Sequence, residues 1–307
     1  MNYFIDISKE SMNKYGEELC GDNIEIIRND DAIIIVLSDG LGSGVKANIL
    51  STLTSKIAVT MLNGGATIEE TVNTIVNTLP ECSVRKLAYS TFSIIKIHND
   101  GTVYIAEYDN PPIFIYRNGF EYPLEKKEKI INEKVIFESR FKLKIGDMFS
   151  VVSDGAIHAG VGAFLNLGWQ WDNVRDYLLS LNETQKTASD ISSNFISVCN
   201  NLYDDRPGDD TSIVTIKIRE NEVVDLFTGP PTDKVMDHFV INNLLNSTGK
   251  KVICGGTTSN IAARELGTTA HVLIDTMTKD IPPMGDIKGF DLVTEGVLTL
   301  KSTLEII

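Results

Sequence analysis

The sequence predicts an α+β protein in which two β-sheets are covered by pairs of helices, followed by a small C-terminal α/β appendage. Three observations carry that prediction. Strand-like runs come in blocks, which argues against a parallel βαβ repeat. Helical periodicities come in pairs, over residues 45–61 and 68–79 and again over 169–181 and 188–202. Beyond Thr228-Gly229-Pro230-Pro231 the pattern changes, so residues 1–227 read as one domain and 228–307 as the appendage.

Taken in order, residues 24–27 and 32–37 form a hairpin-like pair across Asn29-Asp30-Asp31. Val45, Ile49, Leu53, Ile57 and Met61 recur at every fourth residue, one helix face expected to pack on the sheet or on a partner, and Asn63-Gly64-Gly65 ends that helix. Thr67 with Glu70 is a capping box for a second helix carrying Ile68, Val72, Ile75 and Leu79, stopped by Pro80. Strands follow at 89–98, 102–108 and 112–116, punctuated by Asn99-Asp100-Gly101 and Asn118-Gly119, which are hairpin turn residues. The charged segment 125–138 reads as loop or edge. Residues 148–153 are a buried strand, and 212–218 close the first domain. In the appendage, a helix carries Val235, Phe239, Leu244 and Leu245, and a strand at 251–254 runs into Gly255-Gly256-Thr257-Thr258 and a helix over 260–266. A strand at 271–274 and an amphipathic 298–307 complete it. A helix ending on Ile306-Ile307 reads as a domain cut short.

Composition narrows the function. The 307 residues are 42% hydrophobic and 23% charged, as in an ordinary globular protein. No apolar run approaches the roughly 20 residues that span a bilayer, so no membrane partner is expected. Met1 to Asp6 lacks a basic, apolar leader, which points to the cytoplasm. A formal charge of −14 repels nucleic acid. Residues from Thr228 carry 7 basic and 9 acidic side chains, so −12 of the charge falls in the first domain. That suits a cation site, and equally a solubilising surface. Cys20, Cys82, Cys199 and Cys254 are too scattered for a metal-ligand spacing and read as reduced thiols.

The chemistry lies in three aspartates at strand ends. Asp39 follows the apolar run 32–37 and opens Asp39-Gly40-Leu41-Gly42-Ser43-Gly44; Asp154 sits in Ser153-Asp154-Gly155; Asp209 sits in Pro207-Gly208-Asp209-Asp210-Thr211. Carboxylates without His or Cys favour hard divalent cations such as Mg²⁺ or Mn²⁺. Two such ions can activate a water and polarise a phosphate ester.

Together with Gly21-Asp22-Asn23 upstream, these motifs, in this order, resemble those of the PPM-type metal-dependent serine/threonine phosphatases, and within them the bacterial SpoIIE-like branch, over residues 1–225. The resemblance implies two antiparallel sheets face to face with helices outside (an αββα sandwich) and metals at one end. It implies that Asp39 bridges two metals, that Gly40 offers its carbonyl, that Asp154 and Asp209 complete the coordination, and that Asp22 binds through water. The cofactor would be Mn²⁺ or Mg²⁺, two ions with room for a third. Leu41 stands where many eukaryotic relatives carry a His; SpoIIE-like members also lack that His, so Leu41 fits the branch and does not exclude activity. No Arg matches the family's phosphate-binding arginine; Lys9 and Lys14 are the nearest cations, with Ser43 and the backbone of residues 42–44 as further donors.

The activity implied is hydrolysis of phosphoserine or phosphothreonine on a bacterial regulatory protein, for which a STAS-domain regulator is a plausible substrate. Two other readings stay open: a weakly active or inactive phosphatase-fold sensor whose appendage docks a ligand or partner, and a hydrolase of a small phosphorylated metabolite. A homodimer is compatible with each. His158, Trp169 and Trp171 read as packing or surface residues, and Gly255–Thr258 as a tight strand-to-helix turn more than an anion cradle, with Thr294-Glu295-Gly296 able to line the same loop.

Overall fold

A computed structural model describes residues 3–78, 90–278 and 281–306. It divides into two compact units, Met1–Glu220 and Asn221–Ile307. The division lies upstream of the Gly-Pro-Pro sequence because residues 224–228 form a strand of the second unit's sheet.

The first unit has the expected two-sheet architecture. One antiparallel sheet orders β2 (Asp22–Arg28), β3 (Ala32–Gly40), β4 (Ser90–His98), β5 (Thr102–Tyr108), β9 (Lys134–Lys142) and β8 (Lys127–Ile131). The other orders β1 (Tyr3–Met12), β11 (Thr211–Glu220), β10 (Met148–Val152), β6 (Phe114–Arg117) and β7 (Phe120–Glu121). Helices α1 (Gly44–Asn63) and α2 (Ile68–Thr78) cover the first sheet; α4 (Trp171–Thr184) and α5 (Ala188–Leu202) cover the second, and a short α3 (Asp154–Ile157) follows β10.

The run Ile33-Ile34-Ile35-Val36-Leu37 is continuously apolar because β3 is buried on both faces. Ile34 and Val36 join the cluster under α1 and α2, whereas Ile35 and Leu37 meet Val151, Val214 and Ile216 between the sheets. A third cluster sets Phe114, Met148 and Ile213 against Val174, Leu178 and Phe195 of α4 and α5. Trp169 and Trp171 pack against this cluster, Trp171 stacked on Phe114. Burying each such side chain contributes about 1.5–3 kcal/mol.

Four features are decided by the tertiary structure. The first concerns the face of α1. Val45, Ile49 and Leu53 are 63%, 52% and 45% exposed, and the buried face is instead Ala47, Leu50, Ser51, Thr54, Ser55, Ala58 and Leu62. Small side chains let the helix lie close to the sheet, and their hydroxyls are satisfied within the helix: Thr54 donates to the Leu50 carbonyl at 2.8 Å and Ser55 to that of Ser51 at 2.9 Å. Second, the charged segment 125–138, which reads as loop or edge, is edge: it holds the edge strand β8 and the start of β9. Third, β1, which shows no recognisable pattern by itself, pairs along its whole length with β11 from Tyr3↔Glu220 to Met12↔Thr211. Fourth, in the appendage Val235 and Phe239 are exposed and Ile241 and Leu244 are buried. The Thr67–Glu70 capping box forms, Thr67 N donating to Glu70 Oε2 at 2.8 Å and Glu70 N to Thr67 Oγ1 at 3.2 Å. Leu79, Pro80 and Cys82 lie outside the described residues.

The second unit is a mixed sheet. β12 (Val224–Thr228), β13 (Lys250–Cys254) and β16 (Leu292–Thr294) are parallel, and β15 (Met284–Asp286) and β14 (His271–Leu273) continue it antiparallel. Its helices are α6 (Asp237–Asn246), α7 (Gly256–Glu265) and α8 (Val297–Ile306); Ile241, Leu244 and Ile261 pack on Phe227, Ile253 and Val293. No described helix is long and apolar enough to cross a membrane.

Candidate active site

β3 and β10 both deliver an aspartate at their carboxyl ends, and the turn before β11 delivers a third. The register aligns Asp22, the first residue of β2, with Asp39 near the end of β3. The result is a pocket of about 530 Å³ lined by Asp39, Gly40, Asp154 and Asp209, with Lys14, Asp109 and the turn 41–43. Asp22 is not on its wall. It lies behind, 4% exposed, and neither carboxylate oxygen has a hydrogen-bond partner.

Close backbone packing shapes this end of the sandwich. A Cβ on Gly40 would stand 2.0 Å from the Ala47 carbonyl oxygen, so α1 lies directly against the strand end. A Cβ on Gly155 would stand 2.1 Å from the Asp210 carbonyl oxygen. The glycine after each of these aspartates is therefore required by a neighbouring backbone. Tyr203 fixes the second turn by donating to the Gly155 carbonyl at 2.8 Å.

Charge is crowded here. Burial, then the negative charges of Asp22, Asp154 and Asp209 and a contact with the Asp154 carboxyl, push Asp39 up to about 9. Burial likewise pushes Asp22 up to about 7, with Asp210 and Asp154 adding to it; the nearby Ser153 and Ser212 hydroxyls oppose the rise without closing hydrogen bonds. Asp209 is raised by burial and by Asp154, and the Lys14 ammonium at 3.9 Å opposes that shift.

Among the described residues, no three His, Cys, Asp or Glu side chains close on one point at ligand distance. The donor chemistry nevertheless fits hard cations: the donors are all oxygens, Asp22 has two unpartnered oxygens, and the carboxylates repel one another unless a positive charge separates them.

Two other acidic residues belong to this region and were not singled out from sequence. Asp109, at the end of β5, lines the pocket with a left-handed backbone, φ 49°. In sequence it looks only like a turn residue before Pro111-Pro112. Asp210 is buried; its Oδ1 accepts from Lys14 N at 3.0 Å and its Oδ2 has no partner. The doubled aspartate of Gly208-Asp209-Asp210-Thr211 was its available signal.

The remaining candidates separate. Lys14 lines the pocket, whereas Lys9 donates to the Ile24 carbonyl at 3.1 Å. Ser43 is turned away from a ligand role, since its hydroxyl donates to Glu17 Oε1 at 2.9 Å and Glu17 also covers Gly44 at the start of α1. A carboxylate there meets the helix N-terminus that would have met phosphate. His158 is exposed at the end of α3 and does not line the pocket. In the second unit Thr258 and Ser259 donate back to the carbonyls of Cys254 and Gly255. Gly255 N donates to the Thr294 carbonyl at 2.9 Å, so this loop is a stitched strand-to-helix turn with the 294–296 loop beside it.

Comparison with known proteins agrees with this fold. No curated protein matches the chain by sequence. Among solved structures, the PP2C phosphatase domain of Bacillus subtilis SpoIIE with a fragment of its regulatory domain matches with a TM-score of 0.60 at 20% identity, covering 71% of this chain and 65% of that one. The same phosphatase domain in a crystal form without domain swapping matches at 0.53 and 21% identity, covering 76% and 99%. The RsbU and RsbW domains of a Mycobacterium tuberculosis protein match at 0.57 and 16% identity, covering 78% and 67%. These likenesses establish the PP2C-type phosphatase fold. The family model of Stage II sporulation protein E matches residues 29–219, most of the first unit and more than half of the chain, and the chain belongs to that family.

Proposed function

We propose that this chain is a Mn²⁺- or Mg²⁺-dependent protein phosphatase that hydrolyses phosphoserine or phosphothreonine on a bacterial regulatory protein, a STAS-domain regulator being the partner the family resemblance favours. The observation that supports it most is the opening of Asp39, Asp154 and Asp209 into one pocket that also holds Lys14. Asp39, the Gly40 carbonyl, Asp154 and Asp209 would hold the cations, with Asp22 acting through water. Bound there, the ions supply Lewis-acid polarisation of the phosphate and a water of lowered pKa.

The protein's own groups do the rest. Lys14 lies 3.9 Å from Asp209 and is, among the described residues, the pocket's one lysine or arginine, so it is the side chain placed to hold a phosphate oxygen. Two serine hydroxyls beside the metal residues are already committed. Ser90 donates to the Asp39 carbonyl at 2.8 Å and Ser43 to Glu17. Neither is free to attack, which favours water as the nucleophile over a covalent intermediate. The test is turnover of phosphoserine and phosphothreonine peptides, with a phosphorylated-metabolite panel alongside, under Mn²⁺ or Mg²⁺. Asp39→Asn should lower Mn²⁺-dependent kcat/KM at least about 100-fold, equivalent to about 2.7 kcal/mol of transition-state stabilisation, with an unchanged circular dichroism spectrum. Wild-type Mn²⁺ binding without turnover would favour the sensor reading, and near-wild-type activity in Asp39→Asn would remove the bridging role.

A further inference from the structure

A second concavity in the first unit has no part in the chemistry above. It is about 500 Å³ and lies on the helix-facing side of the first sheet, beyond the turn that joins α1 to α2. One wall is the turn Gly65-Ala66-Thr67 with Ile68 and Glu69; the floor and far wall are Lys96, His98, Tyr104, Lys129, Glu138 and Arg140. From Ala47, which packs on Gly40, to Leu62 on its rim, α1 rises about 22 Å, so the two pockets are separate.

Its charge runs against the rest of the chain. The protein carries −14, yet this pocket collects Lys96, Lys129 and Arg140 against only Glu69 and Glu138. Both glutamates are engaged by the same lysine, Lys129 Nζ lying 3.0 Å from Glu69 and 3.7 Å from Glu138. Among the described residues, neither Lys96 nor Arg140 has a carboxylate within ion-pair distance. Arg140 instead lies over the Tyr104 ring, 4.8 Å from its centre, an arrangement that holds the guanidinium without neutralising it. The pocket's size is that of a small-molecule site.

We propose that this pocket binds a small phosphorylated metabolite, its dianionic group held by Lys96 and Arg140 and its apolar part against Leu62 and Ile68. Planar guanidinium and compact ammonium groups together suit a tetrahedral dianion. The proposal does not depend on the catalytic reading.

The test uses the full ¹⁵N-labelled chain, free of divalent metal, titrated with potassium sulfate at constant ionic strength. Without cations the aspartate pocket repels anions, so a sulfate response reports on this site. Saturable shifts of the amides of residues 65–69, 96–98 and 138–140 are expected, with half-saturation at roughly 1–10 mM, the range for a five-atom ligand of ordinary efficiency. Lys96→Gln with Arg140→Gln should weaken binding at least about tenfold at an unchanged melting temperature. Should the double variant fail to fold, Lys96→Gln alone should weaken it about threefold. Shifts that grow linearly without saturating, or a folded variant that binds as the wild type does, would overturn the proposal.

Discussion

Gly40→Ala is the most direct perturbation of the link between fold and site. The added Cβ would meet the Ala47 carbonyl oxygen at 2.0 Å, its carbon at 2.7 Å and its Cα at 2.9 Å. All three are backbone atoms, so no rotamer change relieves the clash. The first turns of α1 must withdraw by more than an ångström. That movement is resisted by Leu50, Ala58, Val59 and Leu62, which are locked against Ile34 and Val36. Overpacking of this kind costs about 1–3 kcal/mol, and an unyielding backbone neighbour places it at the upper end. In a domain of this size each kcal/mol lowers the melting temperature by about 2–4 °C, so a fall of about 6–12 °C is expected. The displaced helix also shifts the Gly40 carbonyl, so the Mn²⁺ concentration for half-maximal turnover should rise. Gly42→Ala is the control: it has φ +110° but open space around the new Cβ, so it carries only local backbone strain of about 1–2 kcal/mol. Thermal melts and Mn²⁺ activation curves of both variants decide the matter. A Gly40→Ala protein that melts within about 2 °C of wild type, with an unchanged Mn²⁺ curve, would refute the close seating of α1 on β3.

Three further outcomes follow from the same geometry. Lys14→Ala should raise KM for a phosphopeptide about tenfold, the loss of one charge-assisted contact of about 1.5 kcal/mol, with a smaller change in kcat; steady-state kinetics showing KM unmoved would exclude Lys14 from phosphate binding. Asp147 accepts from Arg117 Nε at 2.7 Å, Arg117 Nη2 at 2.8 Å and Lys144 N at 2.8 Å in a fully buried position. Asp147→Ala strands the guanidinium and should lower stability in urea by about 3–5 kcal/mol; a loss below about 1 kcal/mol would show that water replaces the carboxylate. A chain ending at Glu220 keeps all three core clusters and every residue of the aspartate pocket, so it should melt as one cooperative unit and retain Mn²⁺-dependent turnover. Failure to do either would show that residues 221–307 are needed for the first unit's fold or site.

Local chemistry made much of this protein readable in advance. Asp39, Asp154 and Asp209 each stand where an apolar run meets a turn, and a buried strand must end at such a point, so their placement at strand ends follows from local pattern. The Thr67–Glu70 box and the α5 boundaries at Ala188 and Leu202 were equally local, set by side chains within a turn of each other. Partner-dependent features were hidden. β1 became a strand because β11 offers it a full antiparallel edge, and β8 became one because β9 does. The inward face of α1 was undecided for a related reason: a four-residue repeat of large side chains says that a stripe exists, and only the close approach of the sheet decides that Ala47, Ser51, Ser55 and Ala58 face inward. Asp109 joined the pocket from the end of β5, and folding chose Lys14, after β1, over the other candidate cation Lys9. Whether a polar residue lines a site depends on which strand ends the two sheets bring together, and that pairing is a property of the folded sandwich, not of any one segment.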